Sequence, residues 1–216
     1  MRPIPPSLTE RRKTVTQLEI ARAAARLFSE RGAAAVTAEE IAREAGIAVR
    51  TFYRYFRTKE EAVSPLLTVG AGHWRAIIAA SDPRESPLDA IERTVVEVLT
   101  PHNEADVEGL QWTLGLLRAM ADDPALQLVW HRVNGNSESL LREVVARLAG
   151  PTADAFAVRL VAAAATDAMR VALETCAAAD GQLTGAGAPA ALAARALREL
   201  TQGISLNPQD GDVSEG

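Results

Sequence analysis

The stretch GIAVRTFYRYFRTKEEA, residues Gly46 to Ala62, holds four of the chain's nine aromatic residues. Phe52, Tyr53, Tyr55 and Phe56 alternate with Arg50, Arg54, Arg57 and Lys59. Successive residues of a helix are turned by about 100°, so a helix over AVRTFYRYF gathers Val49, Phe52 and Phe56 on one side. Arg50, Tyr53, Arg54 and Arg57 fall on the other, with Thr51 at its edge. The first face is core. The second is a basic surface carrying a phenol, suited to DNA, where Arg reaches base edges or phosphates and Tyr and Lys hold the backbone. A solvated charged face is the alternative that this helix alone leaves open.

The flanks narrow the choice. TAEEIAREAG begins at Thr37 with a capping box in which Glu40 reaches back to the cap, and Gly46 ends that short helix. Two short helices separated by a turn form a helix-turn-helix, whose second member enters the major groove. Thr37, at a helix start, is also placed to meet a phosphate. A preceding helix is expected from about Thr14 to Arg31, with Leu18, Ala21, Ala25 and Phe28 on one stripe and Gly32 as its stop. The basic run Arg11–Lys13 is expected just before it, as a solvated tail or a contact to backbone or minor groove.

Working outward, TKEE at Thr58–Glu61 reads as a second capping box opening a fourth helix to about Ala80. Pro65, Gly70 and Gly72 within it predict a kink or break around Pro65–Gly72, the alternative being close approach by a neighbouring helix. Further helices are expected at about 88–100, 106–121, 125–149, 153–179 and 189–202, and no strand pattern stands out. Helix 106–121 is apolar nearly all round, which predicts a position in the middle of a bundle. The fold class is all-α, with about nine helices: a three-helix head at 1–60 and a larger helical bundle at 61–206. The tail 207–216 is acidic and apolar-poor and is expected to be disordered.

Charge follows the same division. The net charge is −5 over 216 residues, yet residues 1–60 carry +5 and residues 61–216 carry −10. A basic head would meet a polyanion and an acidic body would not. The single Cys176 excludes an intrachain disulfide and points to a reducing cytoplasm. No signal peptide or membrane-length apolar run is visible. Catalytic and metal centres are not expected: the three histidines are scattered, and GAG at 70–72 lacks the strand and third glycine of a dinucleotide loop. Asp167, Arg170 and Glu174 read as a helix-surface ion-pair set. No cofactor is expected.

The pattern from Ala24 to Ala62, with TFYRYF-x-TKEE at its centre, resembles the DNA-binding domain of TetR-family transcriptional regulators. The resemblance covers residues 14–62, about a quarter of the chain. It implies DNA contacts from Thr37, Val49, Arg50, Thr51, Tyr53, Arg54, Tyr55 and Lys59. Ala48 departs from it, standing at a helix cap where the family commonly has Ser. The resemblance further implies a C-terminal domain that binds a small-molecule effector and forms a homodimer, giving a repressor on a pseudo-palindromic operator. Candidates for a pocket are His73, Trp74, Trp112, Leu116, Met120, Trp130, Asn134, Thr166 and Met169, with His131 nearby; ordinary core is the alternative. The Ala-rich last two helices suit a four-helix dimer seam. A helical binding module that no longer reads a specific sequence, and a helical enzyme, are the competing readings.

Overall fold

The computed structural model describes residues 7–82, 84–179 and 182–206, and among these it is all-α. The expected disordered tail lies outside the described residues. Nine α-helices follow in order: α1 Leu8–Arg31, α2 Ala38–Glu44, α3 Val49–Tyr55, α4 Ser64–Ala79, α5 Pro87–Leu99, α6 Glu104–Ala121, α7 Pro124–Ala149, α8 Ala155–Ala178 and α9 Pro189–Thr201. Short 3-10 turns at Ala33–Ala35 and Glu60–Val63 join α1 to α2 and α3 to α4.

The head closes around α1. Ile20, Ala21, Ala24, Ala25 and Phe28 are fully buried, and Ile41, Ala42 and Phe52 meet the same degree of burial from α2 and α3. In the body, α8 lies against α6, α7 and α9, while α5 covers α9. Side-chain caps mark the long helices: Asn103 accepts from Asp106 N–H, Asp123 from Ala125 and Leu126, and Asp154 from Phe156 and Ala157.

The structure corrects four expectations. First, α1 begins six residues before Thr14, because Ser7 and Glu10 form a reciprocal capping box that the reading from Thr14 passed over. Arg11–Lys13 therefore stand on the helix itself, not on a tail before it. Second, the start of α4 lies after a 3-10 turn, which puts Pro65 in its first turn, where a missing N–H costs nothing. The helix then runs unbroken through Gly70 and Gly72 to Ala79. Third, close approach does not explain those glycines: an added Cβ would meet nothing at Gly70 and only Arg75 Nη2, 3.8 Å away, at Gly72. Fourth, α6 is not enclosed, since its buried residues, Leu114, Leu116, Leu117 and Met120, all lie in its second half.

Head and body meet along α1 and α6. At Gly115 a Cβ would lie 2.9 Å from Ser29 Cβ, so the helices come closer there than any side chain on α6 would allow. A second contact joins the 3-10 turn to α7, where Arg132 Nη1 lies 3.5 Å from Glu61 Oε1.

Candidate nucleic-acid interface

α3 is held by its two phenylalanines. Phe52 is fully buried and Phe56 nearly so, with ring centroids 5.6 Å apart. Val49 is half-buried beside them. The opposite face stands in solvent: Arg50, Tyr53, Arg54 and Arg57 are all exposed, Tyr53 at 52%. Tyr53 is braced edge-on against Phe52, with rings 5.4 Å apart at 87°, so its hydroxyl is carried outward on a fixed stem. The Arg54 guanidinium sits 5.1 Å from the centroid of the half-buried Tyr55 ring. Thr51 is half-buried at the edge of the face. The expected division of the helix into core and basic sides holds for Val49 to Tyr55; Phe56 is the extended cap residue and Arg57 lies beyond the helix, its N–H donating to Glu61 Oε2.

The turn before α3 is fixed by backbone geometry. Gly46 adopts φ +66°, its N–H donates to Arg43 O, and Ile47 N–H donates to Ala42 O at 2.9 Å. This is the double closure that ends a helix on a left-handed residue. Ala48 caps α3 without a side-chain hydrogen bond, leaving the first N–H groups of the helix without a protein side chain.

Thr37 and Lys59 turn out to have structural partners. The Thr37 hydroxyl accepts Glu40 N–H at 3.2 Å, and Glu40 Oε2 accepts Thr37 N–H at 2.9 Å. These bonds, with Arg31 alongside, hold the Glu40 carboxyl below its ordinary range. Lys59 Nζ donates to Ala33 O at 2.7 Å and Val36 O at 2.8 Å, closing the chain end of the helix-turn-helix onto the α1–α2 connection. The same ammonium also lies 3.8 Å from Glu60 Oε1.

The residues proposed for a pocket are scattered in role. Trp74 is buried and its Nε1 donates to Thr94 Oγ1 at 3.2 Å, tying α4 to α5. Trp130 Nε1 donates to Glu174 Oε1 at 2.7 Å, and Asn134 Nδ2 donates to Trp130 O at 2.9 Å. Thr166 donates to Ala162 O within its own helix. Leu116 and Met120 are core, Trp112 and Met169 half-buried, and His73 exposed. Two open clefts, of about 420 and 410 Å³, are lined by none of these nine. Asp167 and Glu174 both pair with Arg170 at 2.9 Å, as their spacing suggested, but the link from Glu174 to Trp130 crosses from α8 to α7 and has no local signal. Cys176 is buried, its thiol pushed up by burial and donating to Gln182 O. Among the described residues no three His, Cys, Asp or Glu side chains form a candidate metal group.

Residues 20–63 match the profile described as bacterial regulatory proteins, tetR family, and residues 85–205 match that of the MftR C-terminal domain. The chain belongs to the TetR family. It is a DNA-binding transcriptional regulator of that all-α, helix-turn-helix class. The HTH-type transcriptional regulator TcmR of Streptomyces glaucescens is 29% identical over 155 residues, 69% of this chain and 67% of that one. A TetR transcriptional regulator from Rhodococcus sp. RHA1 superposes with a TM-score of 0.58 at 19% identity, covering 90% of this chain and all of that one. Thermus thermophilus FadR, a TetR-family repressor solved with lauroyl-CoA, gives 0.55 at 21%, covering 93% of this chain and 100% of its own. Among the described residues no helix is long and apolar enough to cross a membrane.

Proposed function

We propose that this regulator is a cytoplasmic homodimeric repressor, with residues 1–60 as the DNA-binding head and 61–206 as the effector-binding and dimerising body. The observation that carries the reading is α3: an exposed Arg50–Tyr53–Arg54 face on a seven-residue helix pinned by buried Phe52. Arg50, Thr51 and Val49 lie toward the start of the helix, where a recognition helix meets base edges. Tyr53, Arg54 and Tyr55 hold phosphates. Thr37 and Lys59 position the motif, Thr37 through its box with Glu40 and Lys59 through Ala33 O, Val36 O and Glu60, and meet phosphate only by exchanging those partners.

The dimer reading draws on α8. Phe156, Leu160 and Val171 are 67%, 39% and 42% exposed and share one helical face with Ala163 and Ala164, a face that also carries Asp167 and Glu174, both paired with Arg170. Exposed apolar residues on a helix favour an association surface, and α9 also exposes Leu200, at 51%. A twofold seam there sets two α3 helices at a fixed separation. Repression follows by occupancy of the operator, and a small-molecule effector bound in the body shifts the separation.

A mobility shift tests the reading. Full-length protein is titrated against DNA flanking its own gene and against unrelated DNA of equal length as salt is raised. Retention of the flanking DNA alone is expected; equal loss of both contradicts sequence-specific reading.

A further inference from the structure

An open cleft of about 420 Å³ lies where the head meets the body, bounded by α1, α4, the 3-10 turn Glu60–Val63 and Arg132 of α7. That volume falls within the roughly 300–1,000 Å³ of small-molecule sites. None of the nine effector-site candidates lines it. Part of the lining is apolar: Leu18 and Pro65 are half-buried, Phe56 is buried, and Val69 is 50% exposed. Polar side chains that the fold leaves unspent share the same concavity. Gln17, Ser64 and Thr68 line the cleft and make no side-chain hydrogen bond among the described residues. Ser64 and Thr68 stand one turn apart on α4, so their hydroxyls share a face. Helical hydroxyls such as Thr100, Thr113 and Thr201 are instead spent on a carbonyl one turn back. Single unspent hydroxyls occur elsewhere, as at Thr16 and Thr175. Three unspent polar side chains beside an apolar wall mark this cleft.

The charged pair in the lining decides the class of ligand. Arg132 Nη1 lies 3.5 Å from Glu61 Oε1, a loose pair between side chains 50% and 29% exposed. Glu61 is held on its other side, where Oε2 accepts Arg57 N–H at 3.0 Å. Arg132 has no second partner among the described residues, so most of its five N–H donors stay free. Other body arginines, Arg142 and Arg159 among them, also lack ion pairs; Arg132 differs in lining a cleft with an apolar wall. A guanidinium fork matches a carboxylate through two parallel hydrogen bonds. An amine would meet a carboxylate with both oxygens engaged, beside a guanidinium that repels it.

We propose that this cleft binds a small amphipathic carboxylate, whose acid group takes Arg132 from Glu61 while its apolar end lies on Leu18, Pro65 and Val69. Gln17, Ser64 and Thr68 supply the hydrogen bonds that fix its orientation. The site lies between head and body, apart from the effector-site candidates, and it does not depend on whether α3 reads DNA.

The test uses the full chain and three probes of one shape, phenylpropanoate, phenylpropanamide and phenylpropylamine, titrated by ligand-observed NMR. The acid should bind most tightly and the amine most weakly. Arg132→Gln, at a half-exposed position that the fold does not need, should weaken the acid about tenfold and leave the amide nearly unchanged. Glu61→Gln should tighten the acid about two- to fivefold, because the competitor for the guanidinium is gone. Val69→Ala should weaken acid and amide alike, since both rest on the same wall. The amine binding more tightly than the acid, acid affinity unmoved by Arg132→Gln, or weaker acid binding by Glu61→Gln would each overturn the site. So would wild-type protein that shows no saturable binding of the acid. None of these outcomes touches DNA reading by α3, which the mobility shift decides.

Discussion

At the scale of single residues, the proposed reading makes Arg50 a reader and Lys59 a holder. Arg50 is exposed on the second residue of α3 with no protein partner among its ion pairs. Its replacement by Ala should cost roughly 1–3 kcal/mol on the preferred operator and far less on random DNA. Equal losses, measured by fluorescence anisotropy on both duplexes, would remove it from the readers. Lys59 differs because its ammonium already closes on Ala33 O and Val36 O. Hydrogen bonds from a charged donor are worth about 1.5–3 kcal/mol, so Lys59→Ala should lower thermal stability before it touches DNA. A variant with unchanged melting but a flattened salt dependence would show a phosphate contact and no clamp. Sequence made the division of α3 legible because seven residues with a 3.6-residue period leave no freedom in which side is buried. It gave no hint of the Lys59 clamp, whose acceptors are carbonyls more than twenty residues away.

Among the elements, some local caps were legible, but the equally local Ser7–Glu10 box was passed over and the Thr58–Glu61 pattern opens a 3-10 turn before α4 begins. The Thr37–Glu40 box and the stops at Gly32 and Gly46 stand where the sequence places them. Pro65 was misread because the same residue breaks a helix interior and starts a helix, and only the position of the preceding turn decides between them. The result recasts Gly70 and Gly72. Their open surroundings make them weak points in a continuous helix that links head to body. Replacing both with Ala should raise stability by roughly 1–2 kcal/mol; a lowered melting temperature would mean that this face is covered. Gly115 is the opposite case. A Cβ there would lie 2.9 Å from Ser29 Cβ, so Gly115→Ala should force α6 off α1 and cost about 1–3 kcal/mol. Adding Ser29→Gly should restore most of that loss, and a double variant no better than the single would place the strain elsewhere.

On the scale of the whole molecule, the charge division and the α8 stripe point the same way. In the proposed reading a head of +5 faces DNA while a body of −10 is kept off it, and the exposed apolar residues of α8 are left for a second copy. Leu160→Glu with Val171→Glu should convert dimers to monomers in sedimentation at micromolar concentration. Monomers should also lose operator affinity, because each head alone makes half the contacts; dimers that survive the double change would move the seam. The effector-site candidates, chosen for chemistry along the sequence, line neither open cleft, and Trp74 and Trp130 are committed to Thr94 and Glu174 across helices. The central claim, that the exposed face of α3 reads DNA as one half of a symmetric pair, is tested most directly by selection from a random-sequence duplex library with the full-length protein. The account predicts convergence on an inverted repeat, with half-sites about 34–36 Å apart or a multiple of that spacing, and loss of the repeat in R50A/R54A. Selected sequences indistinguishable from the input library, or an identical repeat recovered by R50A/R54A, would contradict it.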